Sequence, residues 1–360
     1  MASPKHIALL TSGGDCAGLN AVIRAVVLRA EALGWKVTGV IAGTHGLLSR
    51  PPQTLPLTSK NVDTVMMRQG GTILGTTNKG DPFAYPMPDG STKDYSSEII
   101  EGYRMLKCDA LIGIGGDGSL NILRRLAQQG GFPLIGVPKT IDNDLGMTEM
   151  AIGFDTAVMV ATEALDRLQP TAASHDRIMV LEVMGRDAGH IALTSGIAGG
   201  ADVILIPEIP YDIQKVAAHI KKLRQNGRNF ALVVVSEAVR TPDGSSVTKD
   251  FFGGQKRLGG IGHVIGAQIA ELCQAETRVT VLGHVQRGGQ PSAQDRLLAT
   301  AFGAHAVDLI AAGKSDRMVA WSNRQVTDVA IADAVKENHQ VALNSSLVIA
   351  AKGLGICLGD

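Results

Sequence analysis

The sequence predicts an α/β fold of two doubly wound lobes, mostly parallel sheets with helices on both faces, and an active site in the cleft between the lobes. Three observations predict it. Short β-branched or leucine-rich runs that end in glycine alternate with longer segments of helical period. At 360 residues the chain exceeds what one hydrophobic core usually organises, so two lobes are expected, and clefts between lobes commonly hold ligands. Apolar residues make up 45% of the chain and charged residues 19%, enough apolar surface for sizeable cores and too little charge for a disordered or nucleic-acid-coating protein.

The expected strands are Ile7–Leu10, Val37–Ala42, Ala110–Ile114, Leu134–Val137, Ile178–Val183, Val203–Ile206, Phe230–Val235 and Val279–Leu282. Between the first two, Asn20–Leu33 sets Ala21, Val22, Ala25, Val26, Arg29 and Leu33 along a mostly apolar helical stripe, and Gly34 follows as a C-cap. That is one βαβ unit. Residues 49–97 are rich in proline, glycine, serine and threonine without a long periodic run, so loops with short elements are expected there. Loops of that length in α/β enzymes often carry function. The lobe boundary is expected near Gly153, with the chain crossing again later, and no internal repeat or low-complexity tract stands out.

Composition excludes several classes of function. A formal net charge of zero removes any global basic field for DNA or a membrane. Cys16, Cys108, Cys273 and Cys357 are far apart with no Cys-x-x-Cys spacing, which predicts reduced thiols and neither a zinc site nor a disulfide framework. The start of the chain has no signal-peptide pattern, and no run of about 18 uncharged apolar residues offers a membrane span. A soluble, cytoplasmic protein with no nucleic-acid and no membrane partner is expected.

Three glycine-rich clusters point to phosphate chemistry. Thr11–Asn20 lies between the first strand and its helix, where glycines let backbone N–H groups approach an anion at the positive end of the helix. A tight turn without a ligand explains such a run equally well, and neither a P-loop nor a Gly-x-Gly-x-x-Gly pattern is matched. Ile114–Ser119 repeats the strand-glycine-helix arrangement and adds a carboxylate, Asp117, either a Mg²⁺ ligand or the N-cap of the next helix. Gly136–Asp144 follows another buried-type strand, so both acidic clusters are expected at the carboxyl edge of one sheet, where open α/β folds bind ligands. An alcohol that attacks phosphorus must lose its proton to a positioned base, while a divalent ion screens the phosphate charge.

The runs Thr11–Asn20, Gly115–Ser119, Pro138–Asp144, Ser174–Arg177, Met184–Arg186, Ser236–Glu237, Glu276–Arg278 and Gly283–Gly289 stand in an order that resembles the phosphofructokinase family over nearly the whole chain. The resemblance implies phosphoryl transfer to the 1-hydroxyl of fructose 6-phosphate, with Asp142 as the base, Thr140, Asp144 and Arg186 beside it, and Asp117 as the Mg²⁺ ligand. It places the donor phosphates at Gly14, Asn78, Lys79, Gly116, Asp117, Gly118 and Ser119. It places the sugar phosphate at Thr140, Asp142, Met184, Gly185, Arg186, Glu237, His284 and Arg287, with Arg177 and Arg278 reaching in from a neighbouring subunit of a homodimer or homotetramer. The implied lobes are 1–153 plus 286–336 for donor phosphate and Mg²⁺, and 154–285 plus 337–360 for the sugar phosphate. Guanidinium forks suit a phosphate dianion. Ordinary roles stay open for these positions: Arg186, Arg278 and Arg287 as surface residues, His284 as a core histidine, Met184 as packing, and Glu237 as a solvated strand cap.

Two positions bear on the donor. Gly118 follows Asp117 without a side chain, leaving space for the α-phosphate of ATP, whereas pyrophosphate users resemble one another in carrying aspartate there. Lys139 precedes Thr140 where many ATP enzymes carry glycine, and a lysine can screen pyrophosphate-like leaving oxygens. This combination, together with Gly75–Gly80, resembles a bacterial subgroup mixing ATP- and pyrophosphate-dependent members. Steric exclusion outweighs charge screening, so ATP is the expected donor and pyrophosphate the alternative. Leu28, Gln169 and Asn226 stand where three basic effector-binding residues are expected in allosteric bacterial members, with Arg24 and Arg228 retained, so weak or no control by nucleotide and phosphoenolpyruvate effectors is implied. Lipid or NAD kinases share the Gly-Gly-Asp-Gly turn but lack the Thr-Ile-Asp-Asn-Asp and Met-Gly-Arg series. A non-catalytic sugar-phosphate sensor has no need of the acid pair Asp117 and Asp142.

Overall fold

The computed structural model describes residues 5–78, 80–251 and 255–360. Along the chain come β1 (His6–Thr11), α1 (Leu19–Ala32), β2 (Lys36–Val40), β3 (Thr54–Leu57), β4 (Tyr85–Pro86), β5 (Thr92–Lys93), α2 (Ser96–Met105), β6 (Ala110–Gly115), α3 (Asp117–Gly130) and β7 (Leu134–Pro138). They are followed by α4 (Phe154–Ser174), β8 (Ile178–Val183), α5 (His190–Ala198), β9 (Val203–Leu205), α6 (Ile213–Gln225), β10 (Ala231–Ser236), β11 (Thr248–Phe251), β12 (Gln255–Leu258) and α7 (Ile261–Cys273). The chain closes with β13 (Thr277–Val281), α8 (Ala293–Ala311), β14 (Arg317–Ser322), β15 (Gln325–Ala330), α9 (Ile331–Ala334) and α10 (Ser346–Gly353).

These elements form two compact units. The first comprises Met1–Ile141, Leu145–Asp155 and Arg287–Asn338, and the second Asp142–Asp144, Thr156–Gln286 and His339–Asp360. The segment Asp142–Asp144 therefore belongs to the second unit, although the sequence placed it with the first lobe.

The first unit holds a seven-stranded sheet in the order β15-β14-β7-β6-β1-β2-β3. Its inner strands are parallel, while β3 and β15 pair antiparallel at the two edges. Neither edge strand nor β14 was expected. Thr54–Leu57 carries Pro56, which is tolerated because the strand lies at an edge. The second unit holds a parallel sheet in the order β13-β8-β10-β9. The strand Ile178–Val183 has the predicted bounds, whereas β2 ends at Val40 because Ala42 turns into the left-handed region at φ 53°. The α/β, mostly parallel character predicted from the alternating runs is what the chain adopts.

Each unit has its own core. In the first, Ala8 and Leu10 of β1, Leu111 of β6 and Leu134 of β7 pack with Leu120, Leu123 and Leu126 of α3. In the second, Val180, Val203, Leu205, Val233 and Val235 meet Ile261, Ile265 and Ile269 of α7. Burying each such side chain contributes roughly 1.5–3 kcal/mol. The close pairing of α1 with α8 depends on Gly303, where a Cβ would stand 2.8 Å from both Ala25 Cβ and Val22 O. Among the described residues no helix is long and apolar enough to cross a membrane, and the four cysteines are free thiols. Burial pushes the Cys16 thiol up to about 12, which keeps it protonated.

One acid breaks the apolar pattern of β8. Glu182 is buried, and its Oε1 and Oε2 accept from the backbone N–H groups of Gly260 and Gly262 at 2.8 Å each, at the positive end of α7. Glu182→Ala leaves both donors buried without acceptors. The expected cost is about 1–3 kcal/mol, seen as a lower midpoint in urea unfolding, and an unchanged midpoint would contradict this role.

Candidate active site

In the first unit, the parallel strands β1 and β6 end side by side, with Thr11 opposite Ile114. Ser12 N–H donates to Ile114 O at 2.9 Å, so the two glycine turns that follow are tied together at their origin. The loop Gly75–Asn78 is laced onto the first turn. Thr11 Oγ1 donates to Gly75 O at 2.6 Å, Gly13 N–H to Thr77 O at 2.9 Å, and Thr76 Oγ1 to Gly13 O at 2.7 Å. Asn78 is exposed, and Lys79 lies outside the described residues.

Cationic and hydroxyl groups converge on these turns. Gly13 has φ 83°, and a Cβ there would lie 2.8 Å from Ser119 Oγ and 3.4 Å from Lys139 Nζ. A Cβ on Gly14 would lie 2.9 Å from Arg287 Nη1, which donates to Asp15 O at 3.1 Å. Side chains are absent here because the backbone itself must be approached. The N-cap position of α3 is taken by Gly116, and Asp117 is the first helical residue, so the N-cap role open to Asp117 in the sequence is not the one it has. A Cβ on Gly118 would meet nothing within 4 Å.

Lys139 is 4% exposed and continues the edge of the sheet: its N–H donates to Gly115 O at 3.0 Å, and Thr140 N–H to Ile152 O at 3.2 Å. Beside the same loop lies a small hollow lined by Thr44, His45, Leu48, Thr77, Pro82, Tyr85, Tyr95 and Ile99. Tyr85 and Tyr95 stand edge to face, 5.6 Å apart. Sequence reasoning found the turns but not this pocket, whose lining is scattered over residues 44–99.

In the second unit, β8 and β10 end together, Val183 opposite Ser236, which brings Met184–Arg186 beside Glu237. Glu237 Oε1 accepts from the N–H groups of Gly185 and Arg186, each at 3.3 Å, and Gln286 Oε1 accepts from Met184 N–H at 2.7 Å. Gln286 is buried and lies inside a matching motif, yet nothing in the sequence marked it as the group that holds Met184. A Cβ on Gly185 would lie 2.5 Å from Ala188 O. Arg186 adopts φ 49°, a costly conformation for a residue with a Cβ, and its exposed guanidinium lies 3.9 Å from Asp144 Oδ2.

Asp142 and Asp144 are buried. Asp144 O accepts from His339 N–H at 2.7 Å, and His190 Nε2 donates to His339 O at 2.9 Å. Burial lowers the His190 pKa, so the ring is neutral at pH 7. His190 is a further polar neighbour that no motif flagged. His284 is exposed rather than a core histidine, and Met184 is half-buried. Arg177 pairs with Glu276 at 3.0 Å, and Arg278 pairs with the same Glu276 oxygen.

Glu237 is not a solvated cap. Burial pushes its carboxyl up to about 7, with the Asp142 charge adding to the rise and the N–H groups of Arg186 and Gly185 opposing it.

A sequence model described as Phosphofructokinase matches residues 6–310. The chain belongs to the phosphofructokinase family. Within that family it is 62% identical over its full length to a Nostoc protein named ATP-dependent 6-phosphofructokinase 1, and 61% identical to a Synechocystis protein of the same name, with 100% of each chain covered. The phosphofructokinase of Saccharomyces cerevisiae matches with a TM-score of 0.80 at 28% identity, over 92% of this chain and 45% of the yeast chain. The pyrophosphate-dependent phosphofructokinase of Marinobacter aquaeolei shares the fold, with a TM-score of 0.76 at 23% identity over 98% of this chain and 88% of that one. Membership of this family leaves the lipid and NAD kinase alternative without support.

A carboxyl whose folded pKa is raised binds its proton more tightly in the native state, so its contribution is lost as pH rises from its unfolded pKa to its folded one. Wild type is therefore expected to lose stability relative to Glu237→Gln between pH 4.5 and about 7. Urea midpoints of the two proteins across that range measure it, and parallel curves would contradict the assignment.

Proposed function

We propose that the chain transfers the γ-phosphoryl group of ATP to the 1-hydroxyl of fructose 6-phosphate, giving fructose 1,6-bisphosphate and ADP, the step that commits the sugar to glycolysis. The 62% identity over the whole chain to an enzyme named ATP-dependent 6-phosphofructokinase carries this reading. The site chemistry supports it. The sugar O1 attacks the γ-phosphorus, the bond from that phosphorus to the β–γ bridging oxygen breaks, and the O1 proton passes to the Asp142 carboxylate. A positioned base of this kind contributes roughly 10²–10⁴-fold. Thr140 and Asp144 flank that base, and Arg186 steadies the charge that spreads over the equatorial oxygens.

The donor phosphates lie against Gly14, Asn78, Lys79 and Gly116–Ser119, where backbone N–H groups, the Ser119 hydroxyl and the Lys139 ammonium face an anion. Asp117 would hold Mg²⁺, which would screen the charge of the donor phosphates. That fits the donor set: among the described residues no three His, Cys, Asp or Glu side chains cluster as a cage, and Mg²⁺ is usually bound by one or two carboxylates together with substrate phosphates. Gly118 carries no side chain, and a Cβ there would meet nothing within 4 Å, which leaves room for the α-phosphate.

The sugar phosphate is bound by Met184, Gly185, Arg186, Glu237, His284 and Arg287. Arg177 and Arg278 complete the site of a neighbouring copy, so the working form is a homodimer or homotetramer, and the reaction is cytoplasmic. Arg228, retained where effector-binding charge is expected, is engaged with Asp202 at 2.7 Å, which supports weak control by phosphorylated effectors.

Two variants test the assignment. Asp142→Asn is expected to lower kcat at least about 10²-fold while calorimetric binding of fructose 6-phosphate persists; near-normal turnover would remove Asp142 as the base. Gly118→Asp introduces a side chain into open space, so the protein folds. Its kcat/KM for ATP is expected to fall about tenfold or more through steric and like-charge exclusion of the nucleotide, and an unchanged value would sink the donor argument.

A further inference from the structure

Glu276 lies in one of the runs that resemble the family but was given no role there, yet it joins two arginines that the proposed site uses. The backbone places the three residues together. Arg177 directly precedes β8, Glu276 directly precedes β13, and Ile178 N–H donates to Glu276 O at 3.0 Å. Thr277 stands opposite Ile178 in the parallel ladder, so Arg278 and Arg177 are diagonal neighbours, and Glu276 and Arg278 share one face of the strand. Glu276 Oε1 meets Nη2 of Arg177 at 3.0 Å and Nη2 of Arg278.

A surface ion pair contributes at most about 1 kcal/mol to a fold, so stability alone is a weak reason for this arrangement. The geometry offers another. One carboxylate oxygen engages Nη2 of each fork, and Arg278 Nη1 also donates to Thr277 O at 3.3 Å, so each guanidinium keeps further N–H groups as donors. Arg177 Nε is buried with no hydrogen-bond partner. The cluster carries a formal charge of +1, with the His175 ring also close enough to act on Glu276, so it still attracts a dianion. Without the carboxylate, two neighbouring guanidiniums repel and each long side chain samples many rotamers, which a phosphate must then order on binding.

We propose that Glu276 is a positioning residue that holds Arg177 and Arg278 as one preformed clamp for the phosphate dianion of the sugar substrate. The inference rests on the functional reading above and adds a residue to it. The clamp binds phosphate; Glu276 touches only the clamp. Its effect therefore falls on the KM for the phosphorylated sugar and leaves the chemical step alone.

The test compares Glu276→Gln with Arg177→Ala and Arg278→Ala in the full-length protein, by steady-state kinetics and thermal unfolding. The result expected for Glu276→Gln is a KM for fructose 6-phosphate raised about tenfold, with kcat, the KM for ATP and Tm close to wild type. Both arginine variants are expected to raise the same KM at least as much. An unchanged or lowered KM in Glu276→Gln, while the arginine variants raise it, overturns the inference and leaves the functional reading standing; a lowered value would make Glu276 a competitor of the phosphate. Arginine variants without effect on KM, or a wild type that does not use fructose 6-phosphate, overturn the reading and the inference with it.

Discussion

The parallel register of paired strands is the constraint on which the rest depends. In the first unit, Thr11 opposite Ile114 fixes where two glycine turns leave the sheet, and Ser12 N–H bonded to Ile114 O ties them. In the second, Val183 opposite Ser236 sets the Met-Gly-Arg turn against Glu237. A parallel strand buried on both faces has little freedom to slip, because continuous apolar runs such as Ala231–Val235 pack above and below. The polar groups at the strand ends inherit that rigidity. This is why glycine is required where side chains from Ser119, Lys139 and Arg287 approach the backbone of Gly13 and Gly14.

The same rigidity explains how acids of one type acquire different properties. Glu182, inside β8, is satisfied by two N–H groups of α7 and acts as a structural acceptor. Glu237, directly after β10, is half-buried and lies beside Asp142, and its carboxyl is pushed up to about 7. Glu276, exposed before β13, is held below the ordinary carboxylate range, first by the Arg177 hydrogen bond and then by the charges of Arg177, Arg278 and His175. Three glutamates thus take three roles according to where the strands place them.

Much of this was legible in the sequence. Runs that are apolar throughout and end in glycine carry their own boundaries, and the turns after them follow directly. What was missed has a physical reason in each case. β14 and β15 form an antiparallel hairpin of mixed polarity, Arg317–Ser322 with Gln325–Ala330, without the continuous apolar run of the inner strands. β3 hides behind Pro56. The grip of Gln286 on Met184 joins residues 102 positions apart, and the contact of Lys139 with Gly13 depends on strands that are not neighbours in sequence. Periodicity is local, and such contacts are not.

The scaffold is expected to move a phosphoryl group from ATP to fructose 6-phosphate. Initial rates of fructose 1,6-bisphosphate formation by the purified protein, with Mg-ATP and with Mg-pyrophosphate as alternative donors, test it most directly. Turnover with ATP is expected at a rate far above that with pyrophosphate. Turnover with pyrophosphate and none with ATP would contradict it, and would make Lys139 rather than Gly118 the residue that decides the donor.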